Sequence, residues 1–105
     1  MVIYIDVDET VCITAGKKDG ARDYSLAVPI KENIQKANKL YNDGHTIVYW
    51  TARGTVTGID WTETTVKQLD EWGAKYHSVK LGKPHFDLYI CDKAMNVEDW
   101  GENVL

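Results

Sequence analysis

A short apolar run, Val2 to Ile5, stops at two carboxylates, Asp6 and Asp8, and this junction limits what the chain can fold into. Val, Ile and Tyr favour pleated backbone, and an apolar run with no polar alternation reads as a buried central strand of a parallel sheet. In extended backbone, residues two apart leave on the same side, so Asp6 and Asp8 share a face that Val7 does not. Two like charges beside an apolar strand repel, and they persist only where a cation or hydrogen-bond donors neutralise them. Oxygen-rich sites with few protein ligands suit Mg²⁺. Taken alone, the same Asp-x-Asp pattern also fits a capped turn leaving a strand.

Downstream, strand and helix patterns alternate. Residues 11 to 28, with Gly16, Gly20 and the cluster Lys17, Lys18, Asp19, read as a loop or small flap over one end of the sheet. Pro29 opens a helical pattern in which Ile30, Ile34, Ala37 and Tyr41 recur, Leu40 widens the stripe, and Asp43-Gly44 closes it. Thr46 to Trp50 reads as a second strand ending at Thr51-Ala52-Arg53-Gly54. Asp60 and Glu63 form a capping box for a helix striped by Val66, Leu69 and Trp72. Residues 76 to 79 read as a third strand, Phe86 to Cys91 as a fourth ending at Asp92, and residues 94 to 105 as a last short helix. This order predicts an α/β fold on a mostly parallel sheet, with function at the carboxyl ends of its strands.

Composition narrows the function classes. The 105 residues suit one domain, 1–105, with a single core. A formal charge of -4 argues against broad capture of nucleic acid or an anionic membrane, so a nucleic-acid partner is not expected. No run approaches the ~18 apolar residues that span a bilayer, and the start lacks a basic leader, so the expected location is cytoplasmic with no membrane partner. Cys12 and Cys91 are too few for a disulfide framework, the three histidines make no zinc set, and neither a Walker sequence nor Gly-x-Gly-x-x-Gly occurs.

Asp6-Val7-Asp8-Glu9-Thr10 after the first strand, Thr51-Ala52-Arg53 after the second, Lys83 in Gly82-Lys83-Pro84, and Asp92 after a later apolar run resemble the four motifs of the haloacid dehalogenase-like phosphohydrolases. The resemblance covers nearly the whole chain and is strongest to capless or minimally capped members. It implies a three-layer Rossmann-like fold with a mostly parallel central sheet in strand order 4-1-2-3. It also implies a Mg²⁺-dependent phosphomonoesterase with Asp6 as nucleophile and Asp8 as acid/base. Thr51, Ala52 and Lys83, with Asp8, would surround the phosphate, and Asp6, the Val7 carbonyl and Asp92 would hold Mg²⁺. Where related members show Asp-Asp, this chain has Cys91-Asp92, so one supporting carboxylate is missing.

The chemistry suits that set. Phosphoryl transfer needs an in-line nucleophile, cations on the equatorial oxygens and a proton for the leaving group. Glu9, Arg53, Asp87 and Cys91 are expected beside the substrate or behind the first rank of residues. Arg53 is read as anchoring its loop to Asp60, with a second anionic group on the substrate as the alternative. The expected substrate is a small phosphorylated sugar or related metabolite. Nucleotide or polynucleotide phosphatase, and a catalytically weakened metal- or phosphate-binding module, are the alternatives.

The strand order carries a topological strain. Residues 80 to 87 would have to cross to the fourth strand with no room for a helix. Three interstrand steps of ~4.8 Å need about 14 Å, and eight extended residues reach roughly 26 Å, so the crossing is direct. Without a crossover helix, part of one sheet face is left thinly covered, which would favour a homodimer.

Overall fold

The alternating patterns become the following elements in a computed structural model that describes residues 1–14, 17–18 and 21–101. Strand β1 (Val2–Ile5) is followed by four two-residue strands, β2 (Cys12–Ile13), β3 (Lys17–Lys18), β4 (Ala21–Arg22) and β5 (Val28–Pro29). Helix α1 (Lys31–Asn42), strand β6 (Thr46–Trp50), helix α2 (Thr62–Glu71) and strand β7 (Ser78–Lys80) follow, with short 3₁₀ turns at Tyr24–Leu26 and Val97–Asp99. Gly16, Asp19 and Gly20 of the predicted flap, and residues 102–105 of the predicted last helix, lie outside the described residues.

β1, β6 and β7 form a parallel sheet in the order β1-β6-β7, with Ile5 opposite Tyr49 and Trp50 opposite Lys80. Period-two alternation sends Ile5, Ile47 and Tyr49 to one face, where they join Ile34, Ala37 and Leu40 of α1 and Leu69 of α2 in a single core. Each large apolar side chain buried there contributes about 1.5–3 kcal/mol. The opposite face carries Val2, Tyr4 and Trp50 outside that core. Val2 is 66% and Tyr4 48% exposed.

The expected three-layer sheet of order 4-1-2-3 is not formed. The main sheet has three strands, and β2 with β5 and β3 with β4 are separate antiparallel pairs. Because both helices join one core, among the described residues the main sheet has a helical layer on one side only. Residues 86–91, expected as the fourth strand, form none, and β1 is an edge strand rather than a central one. The cause lies just upstream. The Lys83 amide donates to the Thr51 carbonyl at 3.1 Å, and the Thr55 hydroxyl donates to the Lys83 carbonyl at 2.8 Å. These bonds hold the chain at the carboxyl end of the sheet, so it leaves there instead of crossing to the foot of β1. Among the described residues of the expected last helix there is one 3₁₀ turn, Val97–Asp99, after which the Trp100 carbonyl accepts from Lys36 Nζ at 2.7 Å.

Candidate functional site

Parallel register sets the residues that follow β1 and β6 at the same end of the sheet, and these are Asp6 and Thr51. Lys83 is delivered to that end by its amide bond to Thr51, and its Nζ lies 3.3 Å from Asp6 Oδ2. Asp6 Oδ1 accepts from the Val7 amide at 2.8 Å, which fixes the carboxylate while its side chain stays 40% exposed. The Trp50 and Phe86 rings each stand 5.5 Å from Lys83 Nζ. A cleft of about 150 Å³ opens here, lined by Asp6, Ala52, Lys83, Pro84, His85 and Phe86. Thr51 is buried, and its Oγ1 accepts from the Arg53 amide at 3.1 Å, so its hydroxyl proton remains available as a donor. Gly54 makes this loop possible. Its φ is +80°, and a Cβ there would lie 2.0 Å from the Ile59 carbonyl oxygen.

Asp8 occupies a different setting. Arg53 donates to it from Nε, 3.0 Å from Oδ2, and from one terminal nitrogen, 2.9 Å from Oδ1. Its other terminal nitrogen donates to Thr65 Oγ1 at 3.1 Å and Gln68 Oε1 at 2.7 Å. Gln68 in turn donates to the Tyr24 carbonyl at 2.7 Å, and the Tyr24 ring lies 4.9 Å from the guanidinium and packs edge-on against Trp61. Thr14 Oγ1 and Cys12 Sγ also donate to Asp8 Oδ1. Burial, then the Asp8 charge, pushes the Cys12 thiol up to about 12, so it stays protonated and donates.

Arg53 therefore pairs with Asp8, not with Asp60 as expected. Asp60 accepts from the Thr62 amide and hydroxyl at the start of α2, and those bonds hold its carboxyl below the usual range. Glu9 forms an exposed pair with Arg22 at 3.5 Å and adopts a φ of +63°. Such left-handed backbone is uncommon outside glycine.

Asp92 is not gathered with this cluster. It is exposed, with a Cys91 thiol contact at 3.7 Å, and Asp87 and Cys91 are exposed in the same segment. The residues that one chain assembles do not fit a Mg²⁺ site. Among the described residues no three His, Cys, Asp or Glu side chains converge, and the Val7 carbonyl turns inward to accept from the Val11 amide at 2.9 Å and the Thr10 amide at 3.2 Å. Asp6 is the one expected metal residue lining the cleft.

Sequence reasoning missed Thr14, Tyr24, Thr65 and Gln68. A signal existed on α2, because Thr65 and Gln68 share the buried face with Leu69. Polar residues within an apolar stripe call for a buried partner, and Arg53 is that partner.

No family model and no curated protein matches the chain. Among solved structures, it is similar to the crystal structure of an MCSG target from Vibrio cholerae, with 25% sequence identity and a TM-score of 0.77. The likeness covers 93% of this chain and 85% of that one. Among the described residues no helix is long and apolar enough to cross a membrane.

Proposed function

We propose that the chain is a phosphoric monoester hydrolase of the haloacid dehalogenase-like type, working through an aspartyl-phosphate on Asp6. The observation that carries this reading is the half-exposed Asp6 carboxylate 3.3 Å from Lys83 at the mouth of a cleft. A carboxylate nucleophile beside a compact cation suits a dianionic phosphoryl group, which would draw the ammonium onto its own oxygens.

Asp6 attacks phosphorus, an oxygen–phosphorus bond forms, and the bond from phosphorus to the substrate alkoxide breaks. Lys83 and the Thr51 hydroxyl take up charge on the nonbridging oxygens. Asp8 is the group that passes a proton to the departing alkoxide. Water then attacks the phosphoryl group, returns a proton to Asp8 and frees Asp6 with inorganic phosphate. Arg53 fixes the Asp8 carboxylate through both oxygens, and Oδ2 keeps lone-pair capacity for that proton. Arg53 is a positioning residue in this scheme.

The substrate is a small phosphorylated sugar or related metabolite. The acidic composition gives a polynucleotide backbone little to bind, and the Trp50 and Phe86 rings offer a flat surface beside Lys83. Those rings would also accept a base, which keeps a nucleotide as the second reading. Phosphate release from a matched panel of sugar phosphates, nucleotides and 3′-phosphorylated DNA, with and without Mg²⁺, tests both. Turnover should vanish in Asp6→Asn, and full activity in that variant would defeat the nucleophile assignment.

A further inference from the structure

We infer that Gln68 of α2 is a positioning residue for proton transfer at Asp8, acting through Arg53. The inference rests on the phosphatase reading for the role of Asp8. Arg53 is 2% exposed, and each of its five guanidinium N–H groups has a partner. Nε and one terminal nitrogen donate to the two Asp8 oxygens, and that terminal nitrogen also reaches Cys12 Sγ at 3.6 Å. The other terminal nitrogen donates to Thr65 and Gln68, both on the buried face of α2.

A guanidinium held by Asp8 alone would fix the two groups to each other and leave the pair free to shift together against Asp6. A third point tied to the core removes that freedom. Gln68 supplies it, because its helix neighbour Leu69 is fully buried and Gln68 itself is 8% exposed. Its bond to Arg53 is the shorter of the two from α2, 2.7 Å against 3.1 Å for Thr65. A guanidinium can only donate and a carbonyl can only accept, so the Gln68 amide has one possible orientation. Oε1 accepts from Arg53, and Nε2 donates to the Tyr24 carbonyl at 2.7 Å. That second bond ties the turn Tyr24–Leu26, whose Tyr24 ring packs 4.9 Å from the guanidinium, to the same anchor. Gln68→Met keeps the side chain long and buried but removes both bonds. The Arg53–Asp8 pair then loses its hold on α2 at this point, and an acid displaced from its leaving oxygen transfers its proton poorly.

The test compares two leaving groups. With the best alkyl phosphomonoester, whose alkoxide must be protonated as it departs, Gln68→Met should lower kcat/KM about 30-fold, a share of the roughly 10²–10⁴-fold that a positioned acid supplies. With para-nitrophenyl phosphate, whose anion leaves without a proton, the loss should stay below about 3-fold. Gln68→Glu draws the guanidinium towards a second carboxylate, should show the same selectivity, and serves if Gln68→Met does not fold. In nitrogen-15 NMR of the protein without substrate, the Arg53 Nε–H should exchange with water at least about 10-fold faster in the variant than in the wild type. Equal losses with the two esters, no loss with either, or an unchanged exchange rate would overturn the inference. If the wild type turns over neither ester, the phosphatase reading fails separately, and the exchange rate still decides whether Gln68 holds Arg53 in place.

Discussion

Two acidic residues expected in one site, Asp8 as acid/base and Asp92 as metal ligand, live in contrasting surroundings. Asp8 sits inside a closed network in which Arg53 ties it to Thr65 and Gln68 of α2, with Tyr24 stacked over the guanidinium. Asp92 sits on an exposed segment that makes no strand and leaves apolar side chains in water. The first region spends buried polar groups to fix one carboxylate, and every such group must be matched or the network costs stability. Fixing an acid thus depends on helix and loop contacts, whereas among the described residues Asp92 meets the thiol of its neighbour Cys91 at 3.7 Å.

That contrast is sharpest in stability. Arg53→Met leaves the Asp8 side chain, 13% exposed, with its cation gone and should cost about 3 kcal/mol in urea denaturation. Asp92→Ala should stay within about 0.5 kcal/mol. Equal losses would break the comparison. Lys83→Ala tests the catalytic end, and turnover of the best panel substrate should drop about 100-fold, the usual consequence of removing one group that stabilises transition-state charge. A change in KM alone would assign Lys83 to ground-state binding.

The two cysteines report the same division more gently. At pH 8 in the native state, iodoacetamide should modify exposed Cys91 and spare buried Cys12, and denaturation should make both reactive. Cys12 ionises near 9 in the unfolded chain and about 12 in the folded one, so between those values the folded state holds a proton that the unfolded state has lost. Stability should therefore fall as pH rises through that window, by at most about 1.4 kcal/mol per pH unit, and Cys12→Ala should reduce the slope. The smallest effect is at Glu9. Its φ of +63° suits glycine, so Glu9→Gly should raise stability by about 0.5–1 kcal/mol, offset in part by the lost exposed pair with Arg22.

Local pattern was readable where burial and secondary structure agree. The strand Thr46–Trp50 occurs at the residues expected, and α1 begins and ends within two residues of its pattern. Asp6, Ala52 and Lys83 line one cleft, and the Thr51 carbonyl accepts from the Lys83 amide. The fourth strand was misjudged because an apolar, β-prone run records propensity and not partner. What decides its fate is the pair of hydrogen bonds that hold Lys83 to Thr51 and Thr55. Arg53 was misassigned for a similar reason. Asp60 is near in sequence, but its own helix start satisfies it, while Asp8 lies 45 residues away and offers two oxygens to a planar fork. Bare composition did not carry that distinction, although Thr65 and Gln68 on the buried face of α2 did.

The account depends most on Asp6 attacking phosphorus. Mixing the protein with a turned-over phosphomonoester, quenching in acid within milliseconds and mapping peptides by mass spectrometry tests this directly. A phosphoryl group should be found on the peptide bearing Asp6, should be lost in mild base, and should be absent from Asp6→Asn. Turnover with no acyl-phosphate at any quench time, or a phosphoryl group on another residue, would contradict the account.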